Sequence, residues 1–113
     1  MTNPLTLKCI LQDDQVCLDV INNIKDCFIY SSHVDAALHN VTLLKESNKP
    51  EDKNNIFGIY RKNTIIGVTG LWYDDNSLFK DFAFLRWTGL IENYRGLRLF
   101  PYVIDLLSQE ATR

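Results

Sequence analysis

What this chain has little of narrows it first. It has no CxxC pair, and its three cysteines, Cys9, Cys17 and Cys27, are odd in number and unevenly spaced. That excludes a disulfide framework and a zinc site built on cysteine pairs. Each lies among apolar residues, so all three read as reduced thiols in a core. There is no basic surplus either: 12 Lys and Arg stand against 14 Asp and Glu, for a net charge of −2. General nucleic-acid affinity rests on such a surplus, so no nucleic-acid partner is expected. Arg95 with Arg98 is a local basic spot only. No apolar run approaches the roughly 20 residues of a membrane span, and "MTNPLTLKCI" lacks the apolar run of a signal peptide. No membrane association is expected, and the cytoplasm is the expected location. His33 and His39 do not share a helix face, and no cysteine or carboxylate completes a metal set around them. No metal site is expected. No Ser-His-Asp or Cys-His arrangement has supporting context.

What is present is an ordinary globular chain. Its 113 residues, 46% hydrophobic and 23% charged, suffice for one domain with one modest core. "PLTLKCIL" alternates Leu5, Leu7, Cys9 and Leu11 with polar residues, which predicts a strand. Asp13 or Asp14 then caps a helix whose apolar positions run Val16, Cys17, Val20, Ile21, Ile24, Cys27 and Phe28. Asp19, Asn22, Asn23, Lys25 and Asp26 face outward in that pattern. "SSHVD" opens a second helix, with Ser32 and Asp35 spaced as a capping box. Val34, Ala37, Leu38, Val41 and Leu44 form its stripe. "KESNKPEDKNN" contains no apolar residue and reads as a solvated loop.

The period then changes to two. "IFGIYRKNTIIGVTGLWY" predicts two strands joined near Lys62 and Asn63. Gly58, Gly67 and Gly70 inside them suggest bulges or close approaches to the backbone. "DDNS" makes the next turn. "LFKDFAFLRWTGLI" is apolar on both faces, which predicts a central strand covered twice. Trp72, Tyr73, Phe82, Phe84 and Trp87 read as core aromatics across paired strands, not a base-stacking platform, because no basic residues interleave with them. Phe100, Val103, Ile104, Leu107 and Ala111 give a last helical stripe. The fold class is therefore α+β, a mainly antiparallel sheet with flanking helices, ordered β-α-α-β-β-β-α. One domain, 1–113, has no internal boundary.

"NYRGLRLFPYVIDLL" is an Arg-Gly turn running into that last helix. The start of a helix presents unpaired N–H groups and a partial positive charge, so such a turn can cradle a phosphate. With "IIGVTGLWYDD" and "FAFLRWTGLI" before it, the order resembles the GNAT superfamily, the acetyl-CoA-dependent N-acyltransferases. "ENYRG" is similar to the family's frequent P-x-Y-R-G, with Glu92 where proline is common. The resemblance implies that acetyl-CoA binds as acyl donor, with its pyrophosphate over Arg95, Gly96, Leu97, Arg98, Leu99 and Phe100. Its pantetheine arm would pair with the fourth strand near Leu90. It implies direct attack by a small-molecule or peptide amine, without a covalent enzyme intermediate.

The departures are specific. The family's glycine falls on Arg98 and its Gly/Ala on Phe100, where a Cβ and a ring take up room near the amides. Arg98 supplies charge in exchange. Pro101 lacks an N–H but suits a first helical turn. The family continues past this helix with further strands. Their lack after "SQEATR" leaves an incomplete domain on this reading, truncated, naturally short or completed by a partner. The general acid is not identified, and Glu92 is the nearest carboxylate for a base. Asp81 is farther back. Asp13–Asp14 and Asp74–Asp75 read as a helix cap and a hairpin turn rather than as the lining of an entrance for a cationic amine. Arg86 is a charge inside an apolar strand. The reading from another class is a non-catalytic module of the same shape, pairing with itself as a homodimer or with a strand-supplying partner.

Overall fold

In the computed structural model, residues 3–47, 54–73 and 83–111 are described; for 47, 73 and 83–87 only the backbone is. The alternation of the first segment becomes β1 (Leu5–Cys9), with Leu5 and Cys9 buried and Thr6 exposed. α1 (Asp14–Cys27) follows, and Asp13 caps it by accepting a hydrogen bond from the Gln15 amide at 2.8 Å. That bond satisfies one of the donors every helix start leaves orphaned. Val16, Cys17, Val20, Ile24 and Cys27 are its buried stripe.

α2 (Ser31–Ser47) buries Ala37, Val41 and Leu44. It begins two residues before the position a capping box on Ser32 requires. The carbonyl of Tyr30 accepts from the amides of His33 and Val34 at 3.0 and 3.2 Å, so Ser32 lies inside the helix. The box is not formed.

β2 (Asn55–Arg61) and β3 (Thr64–Tyr73) make the expected hairpin, with Arg61 opposite Thr64 and Lys62 turning at φ 58°. Register shifts interrupt the ladders between Ile59 and Tyr60, next to Gly67 on the facing strand, and between Val68 and Gly70, so bulges fall beside Gly67 and Gly70 but not at Gly58. β4 (Ala83–Leu90) pairs with β3, and the antiparallel sheet runs β1-β2-β3-β4. The expectation of a central last strand is therefore wrong: β4 is a sheet edge among the described residues. Apolar residues on both faces report coverage above and below a sheet, not neighbours at its sides. The "DDNS" turn, Phe82, Asp81 and most of the loop around Pro50 lie outside the described residues, as do the side chains of Tyr73, Phe84, Arg86 and Trp87.

Coverage on both faces is indeed what the layers supply. On one face α1 and α2 pack against Ile56, Tyr60 and Val68, with Trp72 partly buried alongside. On the other, Leu99, Val103 and Leu107 at and within α3 (Phe100–Ala111) pack against Leu5, Phe57, Ile59, Ile66 and Leu71. Each fully buried aliphatic side chain here contributes roughly 1.5–3 kcal/mol relative to exposure. Asn3 ties the layers: its Nδ2 donates to the Tyr102 carbonyl at 3.0 Å and its Oδ1 accepts from the Leu5 amide at 2.9 Å.

Candidate functional site

The site is set by how β4 ends. Val68 faces Gly89 and Gly70 faces Arg86, so β4 spends Trp87 and Thr88 where β3 spends only Thr69. Such an extra residue bends a strand and strengthens its twist. The hydroxyls of buried Thr69 and of Thr88 share a hydrogen bond of 2.8 Å across the irregularity. Beyond it β4 runs against the tail of α1. A Cβ on Gly89 would stand 2.5 Å from the Cys27 carbonyl oxygen and 3.0 Å from Phe28 Cε1, so only glycine permits the approach.

Arg95 closes this contact. Its Nε donates to the Leu90 carbonyl at 2.8 Å and its Nη2 to the Asp26 carbonyl at 3.2 Å. One guanidinium thus joins the end of β4 to the last turn of α1, where orphan carbonyls favour a cation. A single 3₁₀ turn, Glu92–Tyr94, lies between, and the Ile91 amide donates back to Ile66 in β3 at 2.8 Å.

The loop from Arg95 to α3 carries two left-handed residues, Gly96 at φ 80° and Arg98 at φ 57°. Leu99 is buried beneath α3, and its carbonyl accepts from the Tyr102 and Val103 amides at 3.0 and 3.3 Å. Leu99 is thereby the helix N-cap. Among the described residues, the backbone amides of Gly96 through Phe100 donate no hydrogen bond, and Pro101 has none to donate.

A cleft of about 420 Å³ opens beside these elements. Thr88, Gly89 and Leu90 line it from β4, Arg95, Gly96 and Phe100 from the loop, and Phe28, Ile29, Tyr30 and His33 from the α1–α2 junction. It is largely apolar. The His33 ring stands edge-on to Phe28 and Tyr30, with centroids 6.5 and 5.4 Å apart. Ile29 is 81% exposed, Tyr30 65% and Phe100 49%, an unusual density of uncovered apolar surface. Cys27 also lines the cleft, but its thiol is pushed up to about 11, by burial first and then by the Asp26 carboxylate, against an opposing pull from Arg95. It is a neutral thiol near pH 7, not a nucleophile.

A second cleft, of about 370 Å³, adjoins the first and shares Phe28, Ile29 and Arg95 with it. Its other lining residues are Lys25, Asp26, Ile91, Glu92 and Asn93, so it is polar where its neighbour is apolar.

The structure brings Leu90, Arg95, Gly96 and Phe100 of the anticipated site together in the apolar cleft, and sets Glu92 in the polar one. Leu97 and Arg98 are exposed and line neither, and Leu99 is turned into the core. Half the apolar cleft was not anticipated. The helical spacing places Phe28 in the α1 stripe and gives Ile29 and Tyr30 no role. The available signal was that Ile29 and Tyr30 extend the apolar run beyond what the helix buries. Lys25 and Asp26 do face outward as their spacing required, but into the polar cleft. Among the described residues there is no group of His, Cys, Asp or Glu fit to hold a metal, and no helix long and apolar enough to cross a membrane.

Fold and site together define an α+β protein whose antiparallel sheet ends, among the described residues, in a strand with one open edge, beside a helix-start loop whose amides donate no hydrogen bond there. Compared with known proteins, the chain matches no family model, no curated protein and no solved structure.

Proposed function

We propose that this chain is a GNAT-type N-acyltransferase domain that moves an acetyl group from acetyl-CoA to an amine. One observation carries the reading: a single cleft is lined both by the bent end of β4 and by the loop before α3. A long donor with an apolar arm and an anionic diphosphate suits that juxtaposition. The arm would lie along Thr88–Leu90, and the diphosphate would meet the undonated amides and positive end of α3. Arg98 stands where the family has glycine, and its φ of 57° is a conformation glycine favours, which supports a retained loop shape. Arg95 commits its Nε and Nη2 to two carbonyls, so the loop amides and exposed Arg98 would carry most of the diphosphate's charge.

The chemistry is direct. The acceptor arrives as an ammonium and loses one proton to the Glu92 carboxylate, which passes it to solvent. The amine nitrogen then attacks the thioester carbonyl carbon. A C–N bond forms and the C–S bond breaks. The second amine proton goes to the departing thiolate, leaving an amide and the free thiol of CoA. Calorimetric titration with acetyl-CoA tests the reading: saturable heat supports it, and no heat at millimolar ligand ends it.

A second reading, a non-catalytic interaction module, is favoured by the outer edge of β4. It has no strand partner among the described residues, and exposed Ile29, Tyr30, Leu97 and Phe100 stand close by in chain or cleft. Such an edge invites a second copy or a strand-supplying partner. Light scattering that shows a clean monomer at tens of micromolar would oppose it.

A further inference from the structure

We infer that the polar cleft takes a free, zwitterionic α-amino acid with an apolar side chain. In making that molecule the acyl acceptor, the inference rests on the acyltransferase reading; the binding itself does not. The cleft's charges are balanced. Lys25 and Arg95 stand against Asp26 and Glu92. Among the described residues the Lys25 ammonium and the Asp26 and Glu92 carboxylates make no ion pair, and Arg95 spends only part of its N–H fork on the Leu90 and Asp26 carbonyls.

A purely cationic guest, such as a polyamine, would gain from the carboxylates but meet Lys25 and Arg95. A purely anionic guest meets the reverse. A peptide N-terminus brings an ammonium but no adjacent carboxylate, and leaves Lys25 unanswered. A free amino acid carries both charges a short distance apart and offers each sign in the cleft a counterpart. Its ammonium is further favoured because α1 ends here, and the carbonyl end of a helix carries partial negative charge. Phe28, Ile29 and Ile91 supply an apolar surface for the side chain. The volume of about 370 Å³ lies near the lower end of the roughly 300–1,000 Å³ range of small-molecule sites, which fits one metabolite rather than a chain. Because Phe28, Ile29 and Arg95 line both clefts, an ammonium placed at Glu92 also borders the cleft proposed for the thioester.

The test is equilibrium binding to the unmodified chain, with leucine, leucinamide and N-acetylleucine as probes of zwitterion, cation and anion. Leucine should bind about tenfold or more tighter than either analogue, the scale of one lost charge-assisted contact. Glu92→Gln should remove the advantage over N-acetylleucine, and Lys25→Met the advantage over leucinamide. Circular dichroism checks that each variant keeps its fold. Equal binding of the three probes, no binding of leucine, or variants that keep the full preference would overturn the inference. Acetyl transfer is read separately with acetyl-CoA. Leucine binding without transfer defeats the acyltransferase reading and spares this site. Transfer to leucinamide in preference to leucine does the opposite.

Discussion

Arg98 holds a backbone conformation that costs an L-residue with a Cβ roughly 1–2 kcal/mol. Its side chain is exposed and packs in neither core cluster, so little offsets the strain. Arg98→Gly is expected to stabilise the fold by about 1 kcal/mol, less than the full strain because glycine is freer when unfolded. Gly96→Ala is the reciprocal test: a Cβ there meets nothing within 4 Å, so any loss, about 1 kcal/mol, is backbone strain alone. Urea midpoints at constant slope read both. Cys27 makes a second prediction. Burial, and then Asp26, raise its thiol from 9.0 to about 11, so the folded chain holds that proton more tightly than the unfolded chain. The associated stability is whole below pH 9.0 and is lost as pH rises through about 11. Cys9 and Tyr60 are also raised, chiefly by burial, and add to the alkaline loss. The wild type should therefore lose stability over that window faster than Cys27→Ala, and equal slopes in urea titrations would refute the assignment.

At the scale of elements, the join between β4 and α1 holds the site open. Gly89→Ala drives a methyl into the Cys27 carbonyl, a backbone atom that cannot swing aside. A loss of about 2 kcal/mol is expected, from the 1–3 kcal/mol range of overpacked positions. Arg95→Lys should loosen the same join, because a single ammonium does not reproduce the fork that spans Leu90 and Asp26. Faster amide exchange at Ile91 than at mid-sheet Ile59 would show it. Both residues also explain what could be read beforehand. Every strand and α-helix was present in the hydrophobic period, since period reports which face is buried, and the turn at Gly96 announced the start of α3; the 3₁₀ turn Glu92–Tyr94 buries nothing and left no such mark. Lateral position was not readable: β4's neighbours are chosen by backbone hydrogen bonds that leave no mark on side-chain identity. Nor was the far side of the cleft. Phe28, Ile29 and Tyr30 reach the loop only through tertiary packing across more than 60 intervening residues. The sequence marked Gly89 as glycine without marking the carbonyl that requires it.

At the scale of the molecule, one surface is claimed by two uses. The sheet is covered on both faces, yet beside the β4 edge it leaves Ile29, Tyr30 and Phe100 uncovered. Such a surface suits either a donor molecule with an apolar arm or a strand of another chain, and the two occupants compete for the same edge. Ile29→Lys separates them. Ile29 is 81% exposed and belongs to neither core cluster, so the substitution should change stability by no more than about 0.5 kcal/mol. It places a charge at the cleft, where an incoming strand would have to bury it. If a second chain covers the edge, the wild type sediments as a concentration-dependent dimer and Ile29→Lys as a monomer. If the cleft serves acetyl-CoA, both sediment as monomers, and the variant weakens acetyl-CoA binding through lost apolar contact while inorganic phosphate binding at the α3 loop stays the same. The acyltransferase reading expects the second pattern. A wild-type dimer that Ile29→Lys dissolves, with no acetyl-CoA binding in either protein, would assign the edge to assembly.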